Sequence, residues 1–65
     1  MKKTIKFQIE LYYEECLVGW VDSMGEPTNY LGEAGKFEGR HLPMVLNLLE
    51  KAYPDYHVSI EQTRS

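Results

Sequence analysis

Few residues in this chain have side chains and spacing suited to chemistry. Gly32–Phe37 reads Gly-Glu-Ala-Gly-Lys-Phe, which invites a phosphate-loop reading. A phosphate loop carries a glycine five residues ahead of its Gly-Lys pair and a Ser or Thr directly after the lysine. Tyr30 and Phe37 stand in those two places, and Glu33 would oppose phosphate. The segment reads as a glycine-rich surface turn.

Cys16 is the one thiol in the chain. A reactive thiolate wants a cation or a helix N-terminus beside it. Glu14 and Glu15 precede Cys16 and favour the neutral thiol, so it reads as a small apolar strand residue. One cysteine forms no internal disulfide and no thiolate-rich metal site, which fits a reducing compartment. His41 and His57 would have to converge with carboxylates to hold zinc, and no ligand spacing announces this. Glu14, Glu15, Glu26, Glu33 and Glu38 could serve acid–base work, yet they lack the alternate-position oxygens of a calcium loop. No catalytic, cofactor-binding or metal-binding residue is assigned. The expectation is a protein that is not an enzyme and takes no cofactor.

Charge narrows the partners. Lys2, Lys3 and Lys6 make the start basic. Glu10, Glu14, Glu15, Asp22, Glu26, Glu33 and Glu38 then face Lys36 alone, and the remaining charges cancel to leave a net −3. An acidic middle repels phosphate and suits a basic partner surface, or serves as a solvated edge. The lysines near the start imitate a signal peptide, but Lys6, Gln8 and Glu10 interrupt any apolar run behind them. No stretch is long enough to span a membrane. A soluble, cytoplasmic protein is expected.

These residues need elements to hold them. Sixty-five residues allow one small domain, 1–65, with a single core and a thin margin of stability that an oligomer would improve. Leu42–Tyr53 carries Leu42, Val45, Leu46, Leu49, Ala52 and Tyr53 on one helical arc of about 120°. Pro43 suits the first turn of that helix and Pro54 ends it. Thr4–Tyr13 alternates as a strand with Ile5, Phe7, Ile9, Leu11 and Tyr13 on one face. Cys16–Asp22 alternates again. A Glu14–Glu15 loop pairs Tyr13 with Cys16, Leu11 with Val18 and Ile9 with Trp20; Glu-Glu lacks the positive-φ preference of a tight turn, and a four-residue loop would keep the same pairing. Ser23–Arg40 is rich in glycine and should hold a short third strand, near Asn29–Leu31 or Ala34–Phe37. Tyr56–Gln62 is a last strand, with Tyr56, Val58 and Ile60 inward, and it can lie parallel to the first.

The fold class is therefore α+β: a small, mainly antiparallel sheet of three to four strands with one helix packed on one face, in the order strand, strand, short strand, helix, strand. The expected core is Ile5, Phe7, Ile9, Leu11, Val18, Trp20, Leu42, Val45, Leu46, Leu49, Tyr53, Val58 and Ile60.

Two sets of apolar residues fall outside that core. Tyr12, Leu17 and Val21 occupy the outer sheet face. Met44 and Leu48, four residues apart on the helix, lie beside the main stripe. Either the Ser23–Arg40 segment covers the pair with Tyr30 or Phe37, or a partner chain such as a second copy does, or the pair stays wet. The functional expectation is a small protein-interaction or regulatory module, self-association included, using Met44, Leu48, Tyr12, Leu17 and Val21. The alternative is a nucleic-acid-binding domain built on Lys2, Lys3, Lys6 and Tyr12, with aromatic stacking on a sheet as its mechanism.

Overall fold

A computed structural model describes residues 5–64 of the chain. Strand β1 (Ile5–Tyr13) and strand β2 (Cys16–Val21) form the opening hairpin. Two short strands follow, β3 (Pro27–Thr28) and β4 (Phe37–Glu38), then helix α1 (Leu42–Ala52) and strand β5 (His57–Arg64). The class is α+β, with all strand pairs antiparallel and a single α-helix among the described residues.

The hairpin turns through Glu14 and Glu15 alone, both left-handed at φ 50° and 67°. Positive φ at both central residues matches the twist of the flanking strands, which is why the turn takes this form despite unfavourable side chains. Tyr13 pairs with Cys16 as the alternation implies. Beyond Tyr12–Leu17 the register slips, so that Leu11 faces Gly19 and Glu10 faces Trp20. Val18 is the extra residue of a β-bulge, and one extra residue exchanges the faces of everything after it. The expected pairs Leu11–Val18 and Ile9–Trp20 are replaced. Val21 turns inward and is fully buried, Val18 is exposed, and Trp20 is half-buried beside Glu10. Gly19 suits the bulge because a Cβ there would collide with the Thr28 carbonyl of β3.

Ser23–Arg40 holds two strand fragments where one was expected. Pro27–Thr28 pairs with β2, and Phe37–Glu38 pairs with β1 at Phe7 and Lys6. β4 thus takes up the part of the β1 edge that β2 leaves beyond Glu10. Asn29–Leu31 forms no strand, while Ala34 makes a single bridge to Asp22.

β5 occupies the whole opposite edge of β1, from Ile5–Arg64 to Tyr12–His57 without interruption. It runs antiparallel to β1, not parallel. The reason is topological: β4, the strand that enters the helix, is itself antiparallel to β1. The crossover through α1 makes β5 parallel to β4, with β1 between them.

α1 follows a single 3₁₀ turn at Gly39–His41 and ends as expected, with the Tyr53 N–H donating to the Leu49 carbonyl before Pro54. Val45 and Leu49 are buried against Ile9, Leu11 and Val21, and Leu42, Leu46, Phe37, Tyr53 and Tyr56 pack around that cluster. Ala52, placed on the same stripe by spacing, is exposed. Ile5, Val18, Val58 and Ile60 are also exposed, contrary to the expected core. A helix is about 10 Å wide and strands lie about 4.8 Å apart, so one helix roofs about two strands. α1 roofs β1 and β2, and the inner face of β5 lies beyond its reach.

Candidate interaction surfaces

The sequence places Met44 and Leu48 one turn apart on α1, and both remain open to water at 61% and 60% exposure. The Ser23–Arg40 segment reaches their edge without covering them. Tyr30 is exposed elsewhere, and Phe37 is drawn into the core cluster. Met24 arrives instead. It stands at the tip of the Asp22–Glu26 loop, 83% exposed, and lines a shallow groove of about 310 Å³ with Met44, Leu48, Phe37, Val45 and His41.

The loop that presents Met24 is pinned by one carboxylate. Asp22 Oδ1 accepts from the backbone N–H groups of Met24 and Glu26, both at 2.9 Å. The Asp22 N–H donates to the Glu26 carbonyl at 2.8 Å, and Gly25, at φ 85°, donates to the Asp22 carbonyl. Asp and Gly are favoured in such turns because the short carboxylate bonds its own following backbone and glycine tolerates positive φ. Met24 was missed in the sequence because no periodicity links a loop residue to a helix flank. The Asp22-Ser23-Met24-Gly25 turn signal was available. Methionine is flexible and polarizable, which suits an adaptable contact surface.

The outer sheet face is a different environment. Tyr12 and Leu17 pair there as expected, and Leu17 is exposed. Val21 does not join them; the bulge sends it to the opposite face, into the core. Around Tyr12 the face is acidic, with Glu10 and Glu61 near it and Glu38 opposite Lys6. The Tyr12 hydroxyl donates to Glu10 Oε1 at 3.0 Å. That hydrogen bond to a carboxylate, with partial burial and the charges of Glu10 and Glu61, raises the phenol above its ordinary value. A carboxylate at the tip of the ring opposes a nucleic-acid phosphate. Lys2 and Lys3, which the nucleic-acid alternative also needs, lie outside the described residues.

The groups weighed for chemistry are dispersed. Cys16 is an exposed free thiol at the base of the hairpin turn. His41 precedes α1, 3.9 Å from Glu38, whose carboxylate also pairs with Arg40 at 3.2 Å. His57 begins β5. Among the described residues no three His, Cys, Asp or Glu side chains gather as metal ligands. Gly32–Phe37 runs from within the 3₁₀ turn Leu31–Glu33 to the first residue of β4. No helix among the described residues is long and apolar enough to cross a membrane.

A second groove, about 410 Å³, lies between the C-terminal half of α1 and the start of β5. Leu46, Leu49, Tyr53, Tyr56 and Val58 line it, and the rings of Tyr53 and Tyr56 sit 6.0 Å apart at a tilt. No protein-family model matches the chain, and neither a curated protein nor a solved structure matches it.

Proposed function

We propose that this protein is a small non-enzymatic interaction module of the cytoplasm, binding another protein through the flank of α1. The observation that supports this reading is the imbalance of its apolar side chains. Among the described residues five are buried as a core, while Met24, Met44 and Leu48 gather, exposed, around one groove, and further large apolar residues are exposed elsewhere. A single exposed Leu needs no explanation, but exposed apolar residues contiguous around a groove mark contact surface. The matching partner presents an apolar ridge with basic residues around it, because Glu10 to Glu38 carries seven carboxylates against Lys36 alone.

Affinity capture with wild-type protein and with a Met44→Lys, Leu48→Lys double variant tests the reading. The variant should keep its circular dichroism spectrum and lose the proteins that the wild type retains. Retention of the same proteins by the folded variant would overturn the assignment of this flank.

A further inference from the structure

β5 pairs with β1 along its whole length and has no strand on its other edge among the described residues. An open edge presents a row of unpaired N–H and C=O groups, because every second residue turns its backbone outward. Proteins that must avoid edge pairing protect such strands with proline, lysine, a bulge or a covering helix. Of these devices β5 has none, and its charged residues are Glu61 and, at its end, Arg64. Its sequence, His-Val-Ser-Ile-Glu-Gln-Thr-Arg, lacks proline and lysine, and its register against β1 is unbroken. α1 roofs the other side of the sheet. On the inner face Val58 and Ile60 are left 40% and 41% exposed.

We propose that two copies of this chain join antiparallel through their β5 edges, about a two-fold axis perpendicular to the sheet at Ser59. This goes beyond the interaction reading, because the β5 edge is a surface separate from the groove beside α1. The sequence of β5 is self-complementary in that register. With Ser59 opposite Ser59 of the second copy, Val58 meets the second copy's Ile60, and Ile60 meets its Val58. Four aliphatic side chains then adjoin on the inner face. On the outer face His57 meets the second copy's Glu61, and Glu61 meets its His57, which sets an imidazole beside a carboxylate instead of like against like. Centring the axis on Ile60 would set Val58 against Gln62, and centring it on Glu61 would set two carboxylates together. An isologous two-fold contact of this kind closes on itself, so the edge is consumed and no filament grows. Both helices end on one face of a continuous sheet, and the small core of Ile9, Leu11, Val21, Val45 and Leu49 is extended across the seam.

The oligomeric mass and a cysteine pair test the proposal. By light scattering across micromolar to millimolar concentration, the wild type should approach twice the 7.6 kDa chain mass. Ile60→Lys should stay at the monomer mass. Because that variant could fail to fold, the second test leaves the core alone. In a Cys16→Ser background, Ser59→Cys should cross-link to a covalent dimer under mild oxidation, since cross-strand Cα atoms lie within disulfide range. Glu61→Cys in the same background faces His57 rather than itself and should cross-link far more slowly. A wild type that remains monomeric throughout, or equal cross-linking of the two cysteine variants, would overturn the dimer. In that event, loss of captured partners on Met44→Lys, Leu48→Lys would leave the interaction reading standing. A β5 dimer whose captured partners ignore those substitutions would do the reverse.

Discussion

On one side of β1, Ile9 and Leu11 meet Val21, Val45 and Leu49 and lose essentially all contact with water. On the other side the residues paired with them, Ile60 and Val58, keep about two-fifths of their surface exposed. Both regions use alternating aliphatic residues on the same sheet face. What separates them is the roof. α1 covers two strands' width, and β5 is the third. Alternation therefore tells which face of a strand is apolar, whereas the width of the covering layer decides whether that face is dry.

The comparison breaks most visibly under truncation. Leu49→Ala should destabilise the fold by about 2–5 kcal/mol, the usual range for a buried leucine, enough to unfold a small domain. Val58→Ala removes a smaller, half-exposed side chain and should have a far smaller effect, read in parallel by urea denaturation. Equal losses would mean that β5 is as well covered as the helix side.

Gly19→Ala comes next in size. It places a methyl group against the Thr28 carbonyl at the bulge. Overpacking of this kind costs about 1–3 kcal/mol, seen as a lower melting temperature. An unchanged melting temperature would mean that β3 yields freely and that the close approach does not hold the bulge.

A gain is expected at the hairpin turn. Glu14→Asn with Glu15→Gly supplies the residues that tolerate φ near 50° and 67° and should raise stability by about 1 kcal/mol. If the melting point falls instead, the two-residue left-handed turn is wrong.

The smallest effect is electrostatic and concerns the outer face. Tyr12 should ionise above the usual phenol value of about 10, because its hydroxyl donates to Glu10, burial disfavours the phenolate, and the charges of Glu10 and Glu61 act in the same direction. A folded-state value raised above the unfolded one favours the protonated form. The associated stability is present below the unfolded value and is lost as pH rises through the folded one. Glu10→Gln should lower the Tyr12 midpoint in an ultraviolet pH titration. A midpoint unmoved by that substitution would remove the hydrogen bond as the cause.

Much of this architecture was legible in the residues because it is periodic. Ile5–Tyr13 alternates over nine residues, and Leu42–Ala52 repeats at helical spacing between Pro43 and Pro54. Matching the two alternations placed Tyr13 opposite Cys16, although a four-residue loop fitted that pairing equally well. The bulge was not legible, because alternation in Cys16–Val21 fits either phase, and only the close contact of Gly19 with β3 marks where the phase changes. Two-residue strands such as Pro27–Thr28 are too short to carry a period. The direction of β5 depended on β4, whose pairing with β1 is a long-range fact. At the candidate surface, Met44 and Leu48 were readable as a helix flank. Met24 was not, since its place beside them comes from loop geometry around Asp22.

Residue-resolved amide hydrogen exchange at two protein concentrations tests most directly whether the two sides of β1 differ as described. The amides of Ile9, Leu11, Val45 and Leu49 should exchange slowly at both concentrations. Alternate amides of β5, those turned to the free edge, should exchange fast in dilute protein and slow as concentration rises and the edge pairs. Protection of every β5 amide in dilute protein, at the level of the core and independent of concentration, would contradict the open edge.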